Sequence, residues 1–292
     1  MRVGAATFAL ALMLIAPATA ECGQIPEPGQ PSGSRAQRTR DPILIQGAMP
    51  SETDALVARL EHVTVERAGG WTFWRGDVDG YPVIVSRTLK GMENAAAATA
   101  IAAERFHPIA IINQGTSGGH DPALHLYDIV LGTSAVNIGA FRTPFKEKGQ
   151  GTNPLQWMPL NLMASEGSAG YDPNARRIAR FAGDANLLAT ARGAAKAYTK
   201  GRIVEGVIGS SDMWNDELDL IAKLHADYGT SVEEMETASA AQVAGLYGVP
   251  FVGIRVVSDN TTNGGAYDPR TGEACEDYVF AVVKAYIKGL AR

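Results

Sequence analysis

Cysteine is nearly absent from this 292-residue chain: only Cys22 and Cys275 occur, too few and too far apart to build a zinc cluster. The five histidines contain no H-E-x-x-H pair. His120 and His125 are the one couple near enough in sequence to consider for a shared ion, and no metal is expected. Neither G-x-G-x-x-G nor G-x-x-x-x-G-K-[ST] occurs, so the common backbone cradles for dinucleotides and nucleoside triphosphates are missing. Redox and kinase chemistry lose their usual signature, and no cofactor is expected. There is also no basic stretch: 26 Lys and Arg face 31 Asp and Glu, a net charge of −5, which disfavours nucleic acid as a partner. What remains is ordinary globular material, 46% hydrophobic and 20% charged, of a length that suits one large α/β domain.

Long apolar runs are missing too, except at the start. Met1 and Arg2 precede an uncharged stretch, Val3 to Ala20, that ends in Ala18-Thr19-Ala20, the small residues a signal peptidase requires. Residues 1–20 are therefore expected to be a signal peptide cleaved after Ala20, and the chain to be exported, periplasmic or secreted. The stretch is too short for a retained bilayer span, and no later run is long and apolar enough for one. Glu21 stands just before Cys22, where a lipid anchor would ask for a small residue. In an oxidising compartment Cys22 and Cys275 either form one disulfide or stay as two free thiols, and geometry decides between them. Residues 21–41 are rich in Pro, Gly and polar residues and read as a flexible leader.

From residue 42 to 292 apolar, β-rich runs alternate with helical patterns. Strands are expected at Ile43–Gln46, Pro82–Ser86, Ile109–Asn113, Asp128–Ser134, Arg202–Ser210 and Phe251–Ser258. Helices are expected at Glu52–Leu60, Glu93–Phe106, Asn174–Tyr198, Asp216–Asp227, Glu236–Tyr247 and Cys275–Leu290. This alternation argues for an α/β fold with a largely parallel sheet and helices on both faces. Such sheets collect ligands beyond the carboxyl ends of their strands. The stretch Gly139–Gly170, rich in Gly, Pro and Trp, reads as an excursion suited to a lid or a subunit contact.

Three strand ends carry unusual chemistry. Gly115-Thr116-Ser117-Gly118-Gly119 formally matches the G-x-S-x-G nucleophile elbow of serine hydrolases, with Ser117 as nucleophile. An elbow turns directly into a helix, however, and Pro122 interrupts helical continuation here. The other reading is a glycine-rich turn that lets backbone and hydroxyl groups approach a ligand closely. Glu52 follows Pro50 and Ser51 at a strand-to-helix junction, where Ser51-x-x-Asp54 reads as a capping pair. Glu233-Glu234-Met235-Glu236 opens an Ala-rich helix, and its acids suit either the helix dipole or vicinal hydroxyls of a ligand. Arg255 lies within the apolar run Phe251–Asp259, and a buried guanidinium requires an anionic partner.

Taken together and in order, Gly47-Ala48-Met49-x-x-Glu52, Asn113-x-Gly115-x-x-Gly118-Gly119, Ser210-x-Asp212, Glu234-Met235-Glu236-x-Ala238 and Arg255-x-x-Ser258-Asp259 resemble the methylthioadenosine/S-adenosylhomocysteine nucleosidases of the nucleoside phosphorylase superfamily. The resemblance runs from about Ile43 to Leu290 and implies a three-layer α/β/α single domain around a central mixed, largely parallel sheet. It implies that Glu52 activates the attacking water and that Asp259 donates a proton toward N7 of a purine. It further implies that Glu236 holds the ribose hydroxyls, that Met235 and Met49 pack on the sugar, and that Arg255 and Ser258 support the acids. Trp214 would stack on adenine, the backbone near Asn215 would read the base edge, Thr116, standing where the pattern has a serine, would lie near the water, and Gly118 would be a further substrate-binding residue. The ligand implied is a small purine nucleoside, and the assembly a homodimer. Phosphorylase relatives place an arginine before the glycine segment to bind phosphate; here that position is Asn113, which favours hydrolysis, with Arg87 and Lys90 as the remaining cations nearby. A nucleoside-binding protein without turnover is the alternative of another class.

Overall fold

Val, Ile and Leu fill both faces of the runs expected as strands, the pattern of strands covered on two sides. In the computed structural model, which describes residues 40–160 and 180–291, all six of those runs lie in one sheet. Its strands are β1 (Ile43–Gly47), β2 (Glu61–Ala68), β3 (Trp71–Val78), β4 (Tyr81–Arg87), β5 (Ala110–Gly119) and β6 (Ile129–Asn137). They continue, after the two-residue β7 (Phe141–Arg142) and β8 (Met158–Pro159), with β9 (Arg180–Ala182), β10 (Ile203–Ser210), β11 (Thr230–Glu234) and β12 (Phe251–Asp259). The spatial order is β11-β10-β6-β12-β5-β1-β4-β3-β2, with β9 beside β6. Two parallel blocks, β4-β1-β5-β12 and β6-β10-β11, meet where β6 and β12 pair antiparallel. The long strand β5 then reaches across to pair Gly118 and Gly119 with Glu233 and Val232 of β11. That crossing joins the blocks at their carboxyl edge and brings β5, β11 and β12 to one place.

Helices cover both faces. On one, α3 (Ala185–Gly193) and α6 (Thr271–Leu290) share a core with Ile43, Ile45, Val83, Ile112, Val252 and Ile254. The α6 sequence spaces Cys275, Tyr278, Val279, Val282 and Val283 along a single stripe, and all five are buried. At roughly 1.5–3 kcal/mol for each large apolar side chain removed from water, that stripe seats the helix. On the other face lie α2 (Met92–Phe106) and α5 (Thr237–Leu246), whose alanines let them approach the sheet and each other. Helix α2 stops at His107, which takes a left-handed φ of 49° ahead of Pro108. The remaining helices are α1 (Asp54–Val57) and α4 (Leu218–Tyr228).

Three expectations need correction, and one hairpin is an addition. The helix expected over Glu52–Leu60 is a 3-10 turn, Pro50–Glu52, followed by the single turn α1, which starts at Thr53 without a side-chain cap; the Ser51–Asp54 capping pair does not form. Within the expected helix Asn174–Tyr198, residues 174–179 lie outside the described residues, 180–182 are strand, and α3 begins after Asp184, whose carboxylate accepts from the amides of Asn186 and Leu187. The hairpin β2–β3 was not anticipated, because β2 is mostly exposed and carries no apolar run. Finally, the glycine segment of residues 115–119 is no turn but the end of β5. The expected signal peptide, nearly all of the expected leader, and Cys22 lie outside the described residues. Cys275 is a free, buried thiol 3.9 Å from the Ile254 carbonyl oxygen. The excursion at Gly139–Gly170 starts as the small β7–β8 sheet, with the Phe141 and Trp157 rings tilted against each other at 5.6 Å, and residues 161–170 are not among those described.

Helix α5 sits so close to the sheet that a Cβ added at Gly253 would stand 2.6 Å from Thr237 Cγ2 and 2.8 Å from Ile208 Cδ1. Gly253→Ala is therefore expected to lower unfolding free energy by about 1–3 kcal/mol through overpacking. Urea denaturation reads this as a lower midpoint with an unchanged slope.

Candidate active site

One cavity of about 260 Å³ opens at the carboxyl edge where β5, β11 and β12 converge. Its walls include Met49 and Glu52 from the turn after β1, Thr116 and Gly118 from β5, Trp214 and Asn215 from the loop after β10, Met235 and Glu236 between β11 and α5, and Ser258 and Asp259 at the end of β12. Ten of the eleven residues singled out from sequence thus line a single space. The eleventh, Arg255, does not reach it.

The Glu52 carboxylate is buried and accepts four hydrogen bonds. Oε2 takes the amides of Ala48 (2.9 Å) and Met49 (3.1 Å), and Oε1 takes the Thr116 amide (2.8 Å) and hydroxyl (2.9 Å). The 3-10 turn folds Glu52 back onto its own preceding amides, and β5 supplies the other pair. Gly115 makes the approach possible, since a Cβ there would lie 2.7 Å from Glu52 Oε1.

At the end of β12, the Ser258 hydroxyl donates to Asp259 Oδ1 at 2.8 Å. Burial pushes the Asp259 carboxyl above the usual carboxylate range; the Ser258 bond opposes this, and the charges of Glu233 and Asp216 add to it. An acid whose pKa is raised in this way is suited to donate its proton.

Beneath the floor, Arg255 is 1% exposed. Its guanidinium donates to Glu234 Oε2 from Nε (3.0 Å) and Nη2 (2.5 Å), and to Asn113 Oδ1. Glu234 also receives the Ser210 hydroxyl and the amides of Glu236 and Thr237 at the start of α5. An acid at this helix start therefore does serve the dipole, while also holding the arginine. Removing either buried partner would strand a charge, at a cost of about 3–5 kcal/mol. Arg255 thus supports the acids from below and is not a ligand contact. Asn113, at the position of the phosphorylase arginine, is committed to this network, and Arg87 turns away to Thr53, Asp54 and the Trp74 ring. Lys90 lines the cavity.

Glu236 projects above this pair. Its Oε1 accepts the Gly91 amide at 2.9 Å, and Oε2 lies 4.0 Å from Arg255. Burial first, then the adjacent Glu234 carboxylate, push its pKa up to about 8 against the pull of Arg255. Trp214 is 65% exposed and meets Tyr267 edge-on, with ring centroids 5.8 Å apart. Ser117 donates its hydroxyl to the Val256 carbonyl (3.0 Å), while His120 binds Thr230 and faces Glu233, so no base addresses Ser117 and the serine-hydrolase reading fails. Among the described residues no group of His, Cys, Asp and Glu is placed to hold a metal, and no helix is long and apolar enough to cross a membrane.

Sequence reasoning did not name Glu233, Glu234 or Tyr267 as site residues. The two glutamates were visible as part of an acidic cluster, but that Glu233 lies opposite Gly118 of β5 while Glu234 holds Arg255 follows only from the sheet pairing. Tyr267 sits in a loop with no local signature.

Comparison with known proteins agrees with this geometry. Residues 42–288 match the model of the phosphorylase superfamily. A 5'-methylthioadenosine/S-adenosylhomocysteine nucleosidase of Bacillus cytotoxicus is 32% identical over 219 residues, spanning 74% of this chain and 85% of that protein. The crystal structure of such a nucleosidase from Neisseria meningitidis, in complex with methylthio-immucillin-A, superposes with a TM-score of 0.68 at 25% identity, covering 84% of this chain and 99% of that one. Futalosine hydrolase of Helicobacter pylori shares the fold, with a TM-score of 0.66 at 22% identity over 84% of this chain and 97% of that one. The chain belongs to the phosphorylase superfamily and, within it, to the methylthioadenosine/S-adenosylhomocysteine nucleosidase family. It is an N-glycosyl hydrolase.

The raised Glu236 pKa fixes a sign. Unfolded, this acid ionises near its ordinary value of 4.5; folded, it holds its proton to about 8, so between those values the native state binds more protons and stability falls as pH rises. Glu236→Gln removes that loss. Urea unfolding at pH 5 and pH 8 is expected to show a smaller decline for the variant than for the parent, and equal declines would refute the assignment.

Proposed function

We propose that this chain is an exported purine nucleosidase that hydrolyses the N-glycosidic bond of adenosine-type nucleosides, such as methylthioadenosine or S-adenosylhomocysteine, to free adenine and the ribose moiety. The observation that carries the reading is a pair of acids lining one cavity: Glu52, fixed as an acceptor by four donors, and Asp259, whose pKa burial pushes up.

Cleavage of a glycosidic bond passes through an oxocarbenium-like sugar, so it asks for a base to activate water on one side and an acid on the leaving group. In this reading Glu52 takes a proton from water as it attacks C1′, and Asp259 gives its proton to purine N7. The bond to N9 then breaks with its electron pair moving into a neutral leaving base. Thr116 keeps Glu52 aimed, Ser258 aims Asp259, Glu236 engages the ribose hydroxyls, Met49 and Met235 flank the sugar, and Trp214 with the Asn215 segment borders the base. Arg255 and Glu234 are positioning residues beneath Glu236.

Two further parts of the reading rest on sequence. The Met1–Ala20 pattern supports export, tested by the N-terminal sequence of protein recovered from the periplasm or medium: Glu21 is expected at the start, and Met1 would contradict export. Family likeness supports a homodimer. Lys90 in the cavity wall favours phosphorolysis as the second reading.

The assay is release of free base from methylthioadenosine, S-adenosylhomocysteine, adenosine and inosine, with and without phosphate. Phosphate-independent release is expected. Glu52→Gln and Asp259→Asn should each lower kcat by roughly 10²-fold or more; activity kept in either variant overturns that residue's role, and binding without release leaves a nucleoside-binding protein.

A further inference from the structure

One buried acid outside the cavity plays no part in the chemistry described so far. Glu276, in the second turn of α6, is 1% exposed. Arg59 and Lys200 both pair with the neighbouring Asp277, and among the described residues no cation forms an ion pair with Glu276. A carboxylate buried without a cation is costly, and packing alone would select an apolar side chain here. Burial pushes its pKa up to about 7; the amides of Leu56 and Ala55 and the charge of Arg59 pull against this, and Asp54 adds to it.

What Glu276 holds is the segment that carries the catalytic base. Its Oε1 accepts the Leu56 amide at 3.1 Å, and the Ala55 amide is its second backbone donor. These are the second and third residues of α1, whose amides an N-cap side chain ordinarily satisfies. Thr53 occupies the cap position and is a residue type that caps well, but its hydroxyl is engaged elsewhere. It donates to the Met49 carbonyl at 3.0 Å and accepts Arg87 Nε and Nη2 at 2.9 and 2.8 Å. The cap comes instead from a helix more than two hundred residues further along the chain. A single helical turn does not hold itself, and this one starts two residues after Glu52. Helix α6 bears on the same segment at a second point, since a Cβ on Gly272 would stand 2.5 Å from the Ser51 carbonyl oxygen.

We infer that Glu276 is a positioning residue for the reaction: as a carboxylate it caps α1 from α6, and so sets the backbone from which Glu52 reaches the attacked carbon. The inference rests on the nucleosidase reading, in which Glu52 is the base. A neutral Glu276 is a weaker cap, because hydrogen bonds to an ionised acceptor are roughly twice as strong as neutral ones. It would also bring a buried O–H in need of an acceptor. The ionisable groups around it are Asp54 of α1, Arg59 just beyond, and Cys275 and Asp277 on its own helix, with Lys200 reaching Asp277. Toward the sheet stands Cys275, whose thiol burial pushes up to about 12 and which also feels Arg255 and Glu52. That thiol stays neutral across the range in which Glu276 titrates. The cap therefore weakens as pH falls through about 7, and Glu52 loosens with it.

The test measures kcat and KM for methylthioadenosine from pH 5.5 to 8.5 in the parent and in Glu276→Gln, which keeps the shape and cannot ionise. At pH 8 the variant is expected to show a kcat about tenfold lower with KM little changed, as a small misplacement of a catalytic group produces. The parent-to-variant ratio of kcat should then fall toward one as pH drops through about 7, because the parent loses a charge the variant never had. Taking the ratio cancels the titrations of the cavity acids, which both proteins share. A ratio constant across the range makes the role of Glu276 purely structural and overturns the inference, as does parental kcat in the variant or a change in KM alone. Should Glu276→Gln fail to fold, Glu276→Asp replaces it. One methylene shorter, its carboxylate withdraws from the two amides, so a lower kcat at pH 8 with KM retained supports the inference and parental kcat contradicts it. A parent that releases no base sinks the nucleosidase reading and this role with it, a result distinct from turnover that is indifferent to Glu276.

Discussion

A carboxylate that accepts four hydrogen bonds cannot shift without breaking several at once, and the architecture around this cavity follows from keeping Glu52 in that state. Two of its donors come from the turn that follows β1, and two come from Thr116 at the far end of β5. The turn must be tight enough to double back, which the 3-10 geometry of Pro50–Glu52 achieves, and β5 must pass bare of side chains at Gly115. A single acid thereby locks together two segments more than sixty residues apart.

The wall built by β12 obeys a complementary rule. Strand β12 is apolar throughout except for Arg255, Ser258 and Asp259, and its one buried cation is matched by Glu234 in a lattice that includes Asn113 and Ser210. Such a pair contributes little net stability, because desolvation offsets most of the Coulombic gain. What it does contribute is place: Glu236 stands at the start of α5, its Oε2 4.0 Å from the arginine, where burial first and the Glu234 charge next raise its pKa against the pull of Arg255. Acids of perturbed protonation gathered in one cleft mark a working site more than a structural one.

Much of the fold was legible in the sequence, because strands buried on both faces write themselves as unbroken Val, Ile and Leu runs and α6 spaces its apolar residues at helical intervals. The β2–β3 hairpin was not, since Glu61–Ala68 is exposed and its pairing is fixed by β3 and β4. The glycine segment after Asn113 misled for a different reason: glycine there serves close passage of the Glu52 carboxylate, not reversal of the chain. Individual site residues could be named from their motif, but Glu52 by itself looked like helix-capping chemistry and Arg255 told only that an anionic partner must lie nearby. Only the pairing of β5 with both β11 and β12 shows that Glu233, Glu234 and Asp259 take three different parts in one wall.

The central claim is that water, activated at Glu52, attacks the sugar carbon while Asp259 protonates the departing base. Turnover of a purine nucleoside in ¹⁸O-labelled water, with phosphate present, reads this directly by mass spectrometry of the sugar product. One labelled oxygen at the anomeric carbon is the expected result, with the released base unlabelled. A sugar 1-phosphate, or a free sugar without label from the solvent, would contradict the account.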